Sequence, residues 1–273
     1  MQATAFAAPA TLSNVQPATP SPRSGQPARP AALPADRSVS PAGAPRMDLY
    51  TPIHKALRAF MTDTLSRIGR MDVFDADDQQ AALGQLDALL ALCESHVAHE
   101  NEFVHTAIEA RQPAGSARIA AEHVEHIASL SALRDEARAL AAAPGAERMA
   151  LALRLYRHLA LFVAENFEHM HFEETVHNAA LWTHYTDAEL ADIHGRLLAS
   201  IPPAENLLVA RWMLPAMNPT ERAGLLAAVA PTMPPEAFLG VLDHVRPHLD
   251  NRAWTKLTRA LRIPQQPGLV EMA

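Results

Sequence analysis

The sequence predicts an all-α protein whose centre is an up-down-up-down four-helix bundle. Apolar residues recur in alternating steps of three and four along four long segments between residues 47 and 185, which is the pattern of helices that bury one face. The connections between these segments are short, so consecutive helices run antiparallel. Beyond residue 185, prolines divide the chain into shorter apolar segments. They predict a C-terminal helical extension.

Residues 1–46 form a first region that lacks the apolar period of any helix or strand. They contain nine of the 22 prolines, mixed with Ala, Ser, Gln and Thr. Such a composition buries too little apolar surface to offset the entropy that a chain loses on folding. We therefore expect a disordered N-terminal arm. A secretory signal is not expected, since no basic stretch is followed by a sustained apolar run.

The bundle region, residues 47–185, contains four predicted helices. They span residues 48–68, 77–110 (as one helix or in two pieces), 116–142 and 146–182. Gln112-Pro113-Ala114-Gly115 ends the second helix and Pro144-Gly145 ends the third. The inward stripes combine core residues, such as Cys93, Phe103 and Val176, with polar ones. The polar members are His54, His96, Glu100, His123, His126, Asn166, His169 and Glu173.

The extension, residues 186–263, contains shorter predicted helices over residues 187–200, 204–213, 219–230, 235–245 and 251–261. Asp187 and Asn218-Pro219 are typical of helix starts. Residues 264–273 are assigned to a tail.

Composition excludes several classes of function. The net charge is −7 and the isoelectric point is near 6.0, so the chain has no nucleic-acid footprint. No apolar run approaches the length of a membrane span. Cys93 is the single cysteine, which excludes an internal disulfide and any cysteine-ligated zinc or iron–sulfur site. We expect a soluble, cytoplasmic protein that binds neither nucleic acid nor membrane.

Two His-x-x-x-Glu pairs carry the chemistry. His96/Glu100 lies in HVAHE and His169/Glu173 in HMHFE, each on the face of its helix that faces the core. Residues four apart project side by side from a helix. A buried, charged glutamate is costly unless it is hydrogen-bonded or coordinates a metal. Two such pairs, with inward histidines on the other two helices, indicate a metal cage.

The donor types favour iron, manganese or zinc, because imidazole and carboxylate together suit these ions. The candidate ligands are His54, His96, Glu100, His123, His126, His169 and Glu173. A glutamate can bridge two ions, so Glu100 and Glu173 on opposing helices are the candidate bridges. On the third helix the alternatives stay open: His123, His126 or both bind, or Glu122 joins His126 at the four-residue spacing.

In residues 47–185 the chain resembles the hemerythrin-like (HHE cation-binding) family. The marks of that family are a lone histidine on its first helix, His-x-x-x-Glu on its second and fourth helices, and histidine on its third. Here the matching segments are YTPIHKALR, HVAHENE, EHVEH and HMHFEE. The resemblance implies a centre of two non-haem iron ions with carboxylate bridges inside a four-helix bundle. The segments LWTHYTDAELADIHGRL and RWMLPAMNPTERAGLL look like the helical extension of some bacterial relatives.

Two departures separate this chain from the oxygen-carrying hemerythrins. The carriers space their third-helix histidines four apart and end with His-x-x-x-x-Asp, whereas here His123 and His126 are three apart and Glu173 follows His169 by four. Binding by both third-helix histidines gives a ligand set like that of the carriers. Binding by Glu122 and His126 gives a set richer in carboxylate, more like that of the F-box iron-sensing relative, and weakens the case for reversible oxygen carriage.

The remaining histidines of the bundle region have simpler interpretations. His99, His105, His171, His177 and His184 fall mostly off the inward stripes, so we expect them to be solvated or locally hydrogen-bonded. A ferritin-type Glu-x-x-His site has the right spacing at Glu102/His105, but this pair is predicted to face away from the core. Cys93 is interpreted as core packing rather than as a redox group.

Three functions remain open from the sequence. The first is a non-haem di-iron protein that senses or handles iron, dioxygen, peroxide or nitric oxide, with a diatomic molecule or peroxide as its small ligand. The second is a di-iron oxidase or peroxidase-like enzyme. The third is a metal-free helical interaction protein. The first is preferred, because no substrate cleft or catalytic motif accompanies the cage.

Overall fold

Residues 46–263 are described by a computed structural model, and across them the chain is helical without any β-strand. The all-α prediction is confirmed over this range. The predictions of a disordered arm and a C-terminal tail concern residues 1–46 and 264–273, which lie outside the described residues except for Arg46. Across the described range no helix is both long enough and apolar enough to cross a membrane.

The predicted second and fourth helices each contain a π-helical segment. The first half of the described chain forms α1 (Thr51–Arg70), α2 (Ala76–His99), α3 (Thr106–Arg111), α4 (Ala117–Ala142), α5 (Gly145–Phe172) and α6 (Asn178–His184). Glu100–His105 joins α2 to α3 as a π-helix, and Glu173–His177 joins α5 to α6 in the same way. The backbone therefore stays helical through both junctions but changes its register there.

The extension forms the helices that the prolines predict. They are α7 (Asp187–Ser200), α8 (Pro203–Ala216), α9 (Pro219–Val229), α10 (Pro235–Val245) and α11 (Asn251–Ala260), with short 3₁₀ turns at Ala230–Thr232 and Arg246–His248. Capping boxes, in which the cap side chain and a glutamate three residues later satisfy each other's backbone N–H groups, begin α7 and α9. These starts, at Thr186 and Asn218, explain why the predicted boundaries agree closely with the observed ones.

Four long helices surround one apolar core. Helix α1 contacts α2 and α5, and α4 contacts the same two helices from the other side, which closes a ring of α1, α2, α4 and α5. We call these the core helices. Leucines from α2, α4 and α5 meet the aromatic and sulfur side chains of α1 and α5 in this core. Its fully buried members include Leu57, Phe60, Met61, Leu86, Leu89, Leu90, Leu130, Leu133, Leu155, Leu159 and Phe162.

The C-terminal helices attach to the core helices through α8. Trp212 of α8 stacks on Phe60 of α1 with ring centroids 4.2 Å apart. Two hydrogen bonds add to this attachment. Lys55 of α1 donates to the Glu221 carboxylate of α9 at 2.6 Å, and Ser95 of α2 donates to Glu205 of α8 at 2.6 Å. Helices α8, α9, α10 and α11 share a smaller apolar core of their own. Its buried members are Leu214, Met217, Leu226, Leu242, Val245, Leu249 and Leu257.

Candidate metal centre

Two glutamates lie at the middle of the cluster formed by the core helices. Glu100 and Glu173 are each the first residue of a π-helical segment, and their exposures are 3% and 0%. All four of their carboxylate oxygens are buried without a hydrogen-bond partner among the described residues. A carboxylate in such surroundings is strongly destabilised unless a cation neutralises it. The two side chains therefore offer the anionic donors that a cation site needs.

Four histidines surround these carboxylates with their Nε2 atoms. The Nε2 atoms of His96 and His123 lie 3.2 and 3.3 Å from Glu100 oxygens. Those of His54 and His169 lie 3.5 and 3.4 Å from Glu173 oxygens. Ligand atoms about 2.1 Å from one metal ion at roughly right angles are about 3 Å apart. The spacing of this cluster is thus that of donors arranged around metal ions.

The outer nitrogens of three of these histidines are held by polar side chains. Nδ1 of His54 lies 3.1 Å from Glu174, and Nδ1 of His169 lies 2.9 Å from Glu122. Nδ1 of His123 lies 2.8 Å from the side-chain oxygen of Asn101. Each of these partners accepts a hydrogen bond from Nδ1–H, which leaves the Nε2 atom facing the glutamates. Histidines that bind metals are oriented in this way.

One contact in the cluster is unfavourable without a cation. The Nε2 atoms of His123 and His169 are only 3.2 Å apart. When each Nδ1 atom carries the only proton of its ring, two lone pairs face each other across this distance, and a proton on one Nε2 atom makes the contact a hydrogen bond. A positive charge between them removes the repulsion. The donor set therefore fits a metal ion better than it fits an empty, neutral core.

The pKa values of these residues indicate that positive charge is lacking around the two carboxylates. Burial opposes the charged form of His54, but the nearby carboxylates of Glu100, Glu173 and Glu174 outweigh it and raise its pKa to about 9. Burial and the charge of Glu100 raise the pKa of Glu173. For Glu100, burial is outweighed by nearby histidines, and its pKa is lowered well below 4.5. In the absence of another cation, a proton on His54 therefore balances the charge of Glu100.

The structure brings together six of the seven candidate ligands. Glu100, His123, His169 and Glu173 place one donor atom each within 4.8 Å of one another, and so do His54, His96 and Glu100. His126 belongs to neither group. Its ring packs edge-on against His169 at 4.6 Å and against Phe162 at 5.9 Å. Glu122, the alternative carboxylate ligand, is hydrogen-bonded to the outer nitrogen of His169 and to Arg118.

Two further histidines reach the cluster, and for these the sequence-based expectation was wrong. His105 and His177 were expected to be solvated or locally bonded, but they are 5% and 0% exposed. Together with Glu173 they form a third group of donor atoms within 4.8 Å of one another. Burial lowers the pKa of each histidine to about 4. At neutral pH both rings are therefore uncharged.

The first π-helical segment explains this error for His105. In a regular α-helix His105 lies about 140° around the axis from Glu100, on the outer face. A π-helix closes its hydrogen bonds between residues five apart, so residue 105 returns to the face of Glu100. The same shift buries Val104 where Phe103 was expected. His177 needs no such shift, because it follows Glu173 by four residues and so lies only about 40° from it around a regular α-helix; it is buried where Val176 was expected. The one signal available in the sequence was a histidine four or five residues after each glutamate.

A small cavity adjoins the centre on the side of His96 and His169. Its walls are mostly apolar, and the Cys93 thiol, whose pKa burial raises to about 12, contributes to them. The lining residues are Leu57, Met61, Cys93, His96, Val97, His126, Leu130, Phe162, Asn166, His169 and Met170. The volume of the cavity is about 10 Å³, which is at the lower limit for a single water molecule.

Comparison with protein-family models and with curated proteins finds no match to this chain. The assignment of the centre therefore rests on its own residues and geometry.

Proposed function

We propose that this chain is a non-haem di-iron protein of the hemerythrin-like type, which senses or handles dioxygen, peroxide or nitric oxide at its histidine–glutamate centre. In this proposal α1, α2, α4 and α5, with the helical runs that continue α2 and α5, form an up-down-up-down four-helix bundle, and the C-terminal helices are an extension of it. The ring of contacts among the core helices is the arrangement that such a bundle requires.

The observation that carries the proposal is the state of Glu100 and Glu173. Both carboxylates are fully enclosed, have no hydrogen-bond partner among the described residues and are contacted by imidazole Nε2 atoms instead. A protein that binds no metal gains nothing from this arrangement, because two buried like charges without donors lower its stability. Bound metal ions would provide the partners that these carboxylate oxygens lack.

Each residue has a defined part in this centre. His54, His96, His123 and His169 would be the terminal ligands of the two iron ions, and Glu100 and Glu173 would supply the carboxylates that the ions share. Glu122, Asn101 and Glu174 orient the histidines through their outer nitrogens. Two iron ions held in this way supply coordination of, and electron transfer to, a small oxidant or diatomic molecule.

The adjoining cavity favours a small, weakly polar ligand. It has room for little more than a molecule of the size of water, and its walls include the apolar side chains of Leu57, Met61, Leu130 and Phe162. No extended cleft is required for a diatomic molecule or peroxide to reach the centre. His126, which borders both the cavity and His169, is placed to contact such a ligand.

The test is anaerobic iron reconstitution of the full chain, followed by desalting, iron analysis and optical spectra before and after oxygen or peroxide is added. We expect two tightly held irons per chain and a spectral change on oxidation. The Glu100→Ala/Glu173→Ala variant should retain no tightly held iron. As a matched control, Glu165→Ala/Glu168→Ala, which changes two exposed glutamates of α5, should bind iron as the unmodified chain does.

A chain that binds no iron, or a Glu100→Ala/Glu173→Ala variant that keeps its full iron content, would overturn the proposal. Measuring the peroxide consumed per iron distinguishes a protein that binds or senses its ligand from an enzyme that turns it over. Consumption of at most one molecule per centre is expected of a binding or sensing protein, whereas repeated turnover identifies an oxidase or peroxidase-like enzyme.

A further inference from the structure

A third group of metal-type donors lies beside the proposed dinuclear centre. It consists of His105, Glu173 and His177, whose donor atoms are within 4.8 Å of one another. All three side chains are at least nine-tenths buried. The dinuclear ligand set does not use either histidine, so their position needs its own explanation.

The donor atoms of this group are aimed inward and have no partner among the described residues. The Nε2 atoms of His105 and His177 are both buried without a hydrogen bond, as are the two oxygens of Glu173. The outer nitrogen of His177 is 3.1 Å from the hydroxyl of Tyr50, which is itself 1% exposed. With Nδ1–H donating to this hydroxyl, Nε2 of His177 presents its lone pair to Glu173.

The backbone is shaped to place both histidines here. Each π-helical segment begins at a glutamate of the centre and ends at one of these histidines, Glu100–His105 in one case and Glu173–His177 in the other. A π-helical turn is rarer than an α-helical one and is found mostly at functional sites. In the run that follows α2, this change of register brings His105 to the face of Glu100, while His177 shares the face of Glu173 through its four-residue spacing.

We propose that His105, Glu173 and His177 form a third metal position, which takes a divalent first-row transition-metal ion such as Fe²⁺ or Zn²⁺. Two imidazoles and one carboxylate are a donor set that both ions accept, with coordination positions left open. This inference rests on the proposed function, because Glu173 is shared between the third position and the dinuclear centre.

Charge sets the order in which the positions fill. Three divalent ions share only Glu100 and Glu173 as enclosed anions, since the outer carboxylates Glu122 and Glu174 are already paired with Arg118 and Arg58. Repulsion from the two ions of the dinuclear centre therefore weakens the third position. It fills last and is the first to be emptied by a chelator.

The experiment is a titration of the metal-free full chain with Zn²⁺, which has a single oxidation state and so keeps the count free of redox chemistry. Bound metal is measured after equilibrium dialysis at a series of free zinc concentrations. We expect two tight equivalents and a third that is at least tenfold weaker. Anomalous diffraction at the zinc edge from crystals grown with zinc should place the third ion between His105 and His177.

The matched variants separate this position from the other two. His105→Gln/His177→Gln should lose only the third equivalent, whereas His99→Gln/His171→Gln, which changes histidines of the same two helices outside all donor groups, should keep three. Saturation of the unmodified chain at two ions, or an unchanged count in His105→Gln/His177→Gln, would overturn the inference. The number of zinc ions bound by the unmodified chain tests the inference even if the variant does not fold. A chain that binds neither zinc nor iron would instead contradict the proposed function itself.

Discussion

The hydrogen bond between His54 and Glu174 shows how much of the centre depends on residues that do not bind metal. Glu174 accepts from Nδ1 of His54 at 3.1 Å and also pairs with Arg58 at 2.5 Å. These partners lower the pKa of Glu174 to about 2 although its partial burial acts in the opposite direction. The carboxylate is therefore ionised at every physiological pH and fixes the orientation of the His54 ring.

Removing this carboxylate should weaken metal binding without removing a ligand. We expect Glu174→Ala to lower the affinity for iron or zinc by about 10–100-fold, which is the usual cost of losing a group that orients a metal-binding histidine. Competition with a chelator of known affinity measures the change. Glu168→Ala is the control, since Glu168 is exposed on the same helix. Equal affinities for the two variants would show that Glu174 does not orient His54.

Cys93 illustrates the opposite case, a reactive side chain made inert by its position. It is 3% exposed in the main core, and burial raises its pKa to about 12. The thiolate is the reactive form of cysteine, so at pH 8 we expect a thiol reagent to modify the native chain at least about tenfold more slowly than the chain unfolded in guanidinium. Equal rates in the two states would indicate a redox-accessible cysteine.

At the scale of elements, the sequence was sufficient to predict the helices and most residues of the histidine–glutamate cluster. It was not sufficient to predict the changes of helical register. The period of apolar residues located α1, α2, α4 and α5, and the His-x-x-x-Glu spacing located Glu100 and Glu173. These are local properties of an α-helix. The π-helical segments have no residue signature, because they depend on contacts with neighbouring helices. The burial of His105 follows from the first of them and could not be predicted, whereas His177 has the four-residue spacing from Glu173 that places both on one face of an α-helix.

The π-helical segment after Glu100 can be tested by removing one residue. Deleting the exposed Glu102 should let α2 and α3 join as a regular α-helix, which moves His105 relative to Glu100. We expect the helix content and thermal midpoint to be maintained or raised, while metal affinity falls. Circular dichroism and a zinc titration measure the two effects. Glu102→Ala, which keeps the chain length, should change neither, and a deletion variant with unaltered affinity would mean that the register change does not serve the centre.

At the scale of the molecule, the C-terminal helices α7 and α8 cover two apolar surfaces of the rest of the described chain. Helix α8 covers α1 through the stack of Trp212 on Phe60. Helix α7 buries Leu190 and Ile193 against a cluster that includes Tyr50, the residue that contacts His177. Arg46, in the segment before α1, also contacts this region, since its guanidinium donates to Asp187 and to the carbonyls of Trp182 and Tyr185.

A single substitution measures how strongly α8 holds the core helices. Replacing Trp212 by alanine removes the aromatic stack on Phe60 and opens a gap beside the main core. We expect Trp212→Ala to lower the free energy of unfolding by about 3 kcal/mol, near the lower end for the loss of a large aromatic side chain. Denaturant unfolding followed by circular dichroism gives the value. Leu239→Ala, which truncates an exposed leucine, should cost far less.

Removing the whole extension, residues 188–273, should affect solubility and oxidation more than metal content. The ligands of the proposed dinuclear centre all lie before residue 188, so the shortened chain is expected to retain two tightly held irons. It exposes the apolar faces of α1 and of the cluster around Tyr50, and exposed apolar patches of this kind promote association. Oxygen and water also reach the centre more readily. We therefore expect aggregation by light scattering and faster oxidation of the reduced iron. Unchanged solubility and oxidation rate would mean that the extension shields neither the core helices nor the metal centre, and that its apolar surfaces serve a partner instead.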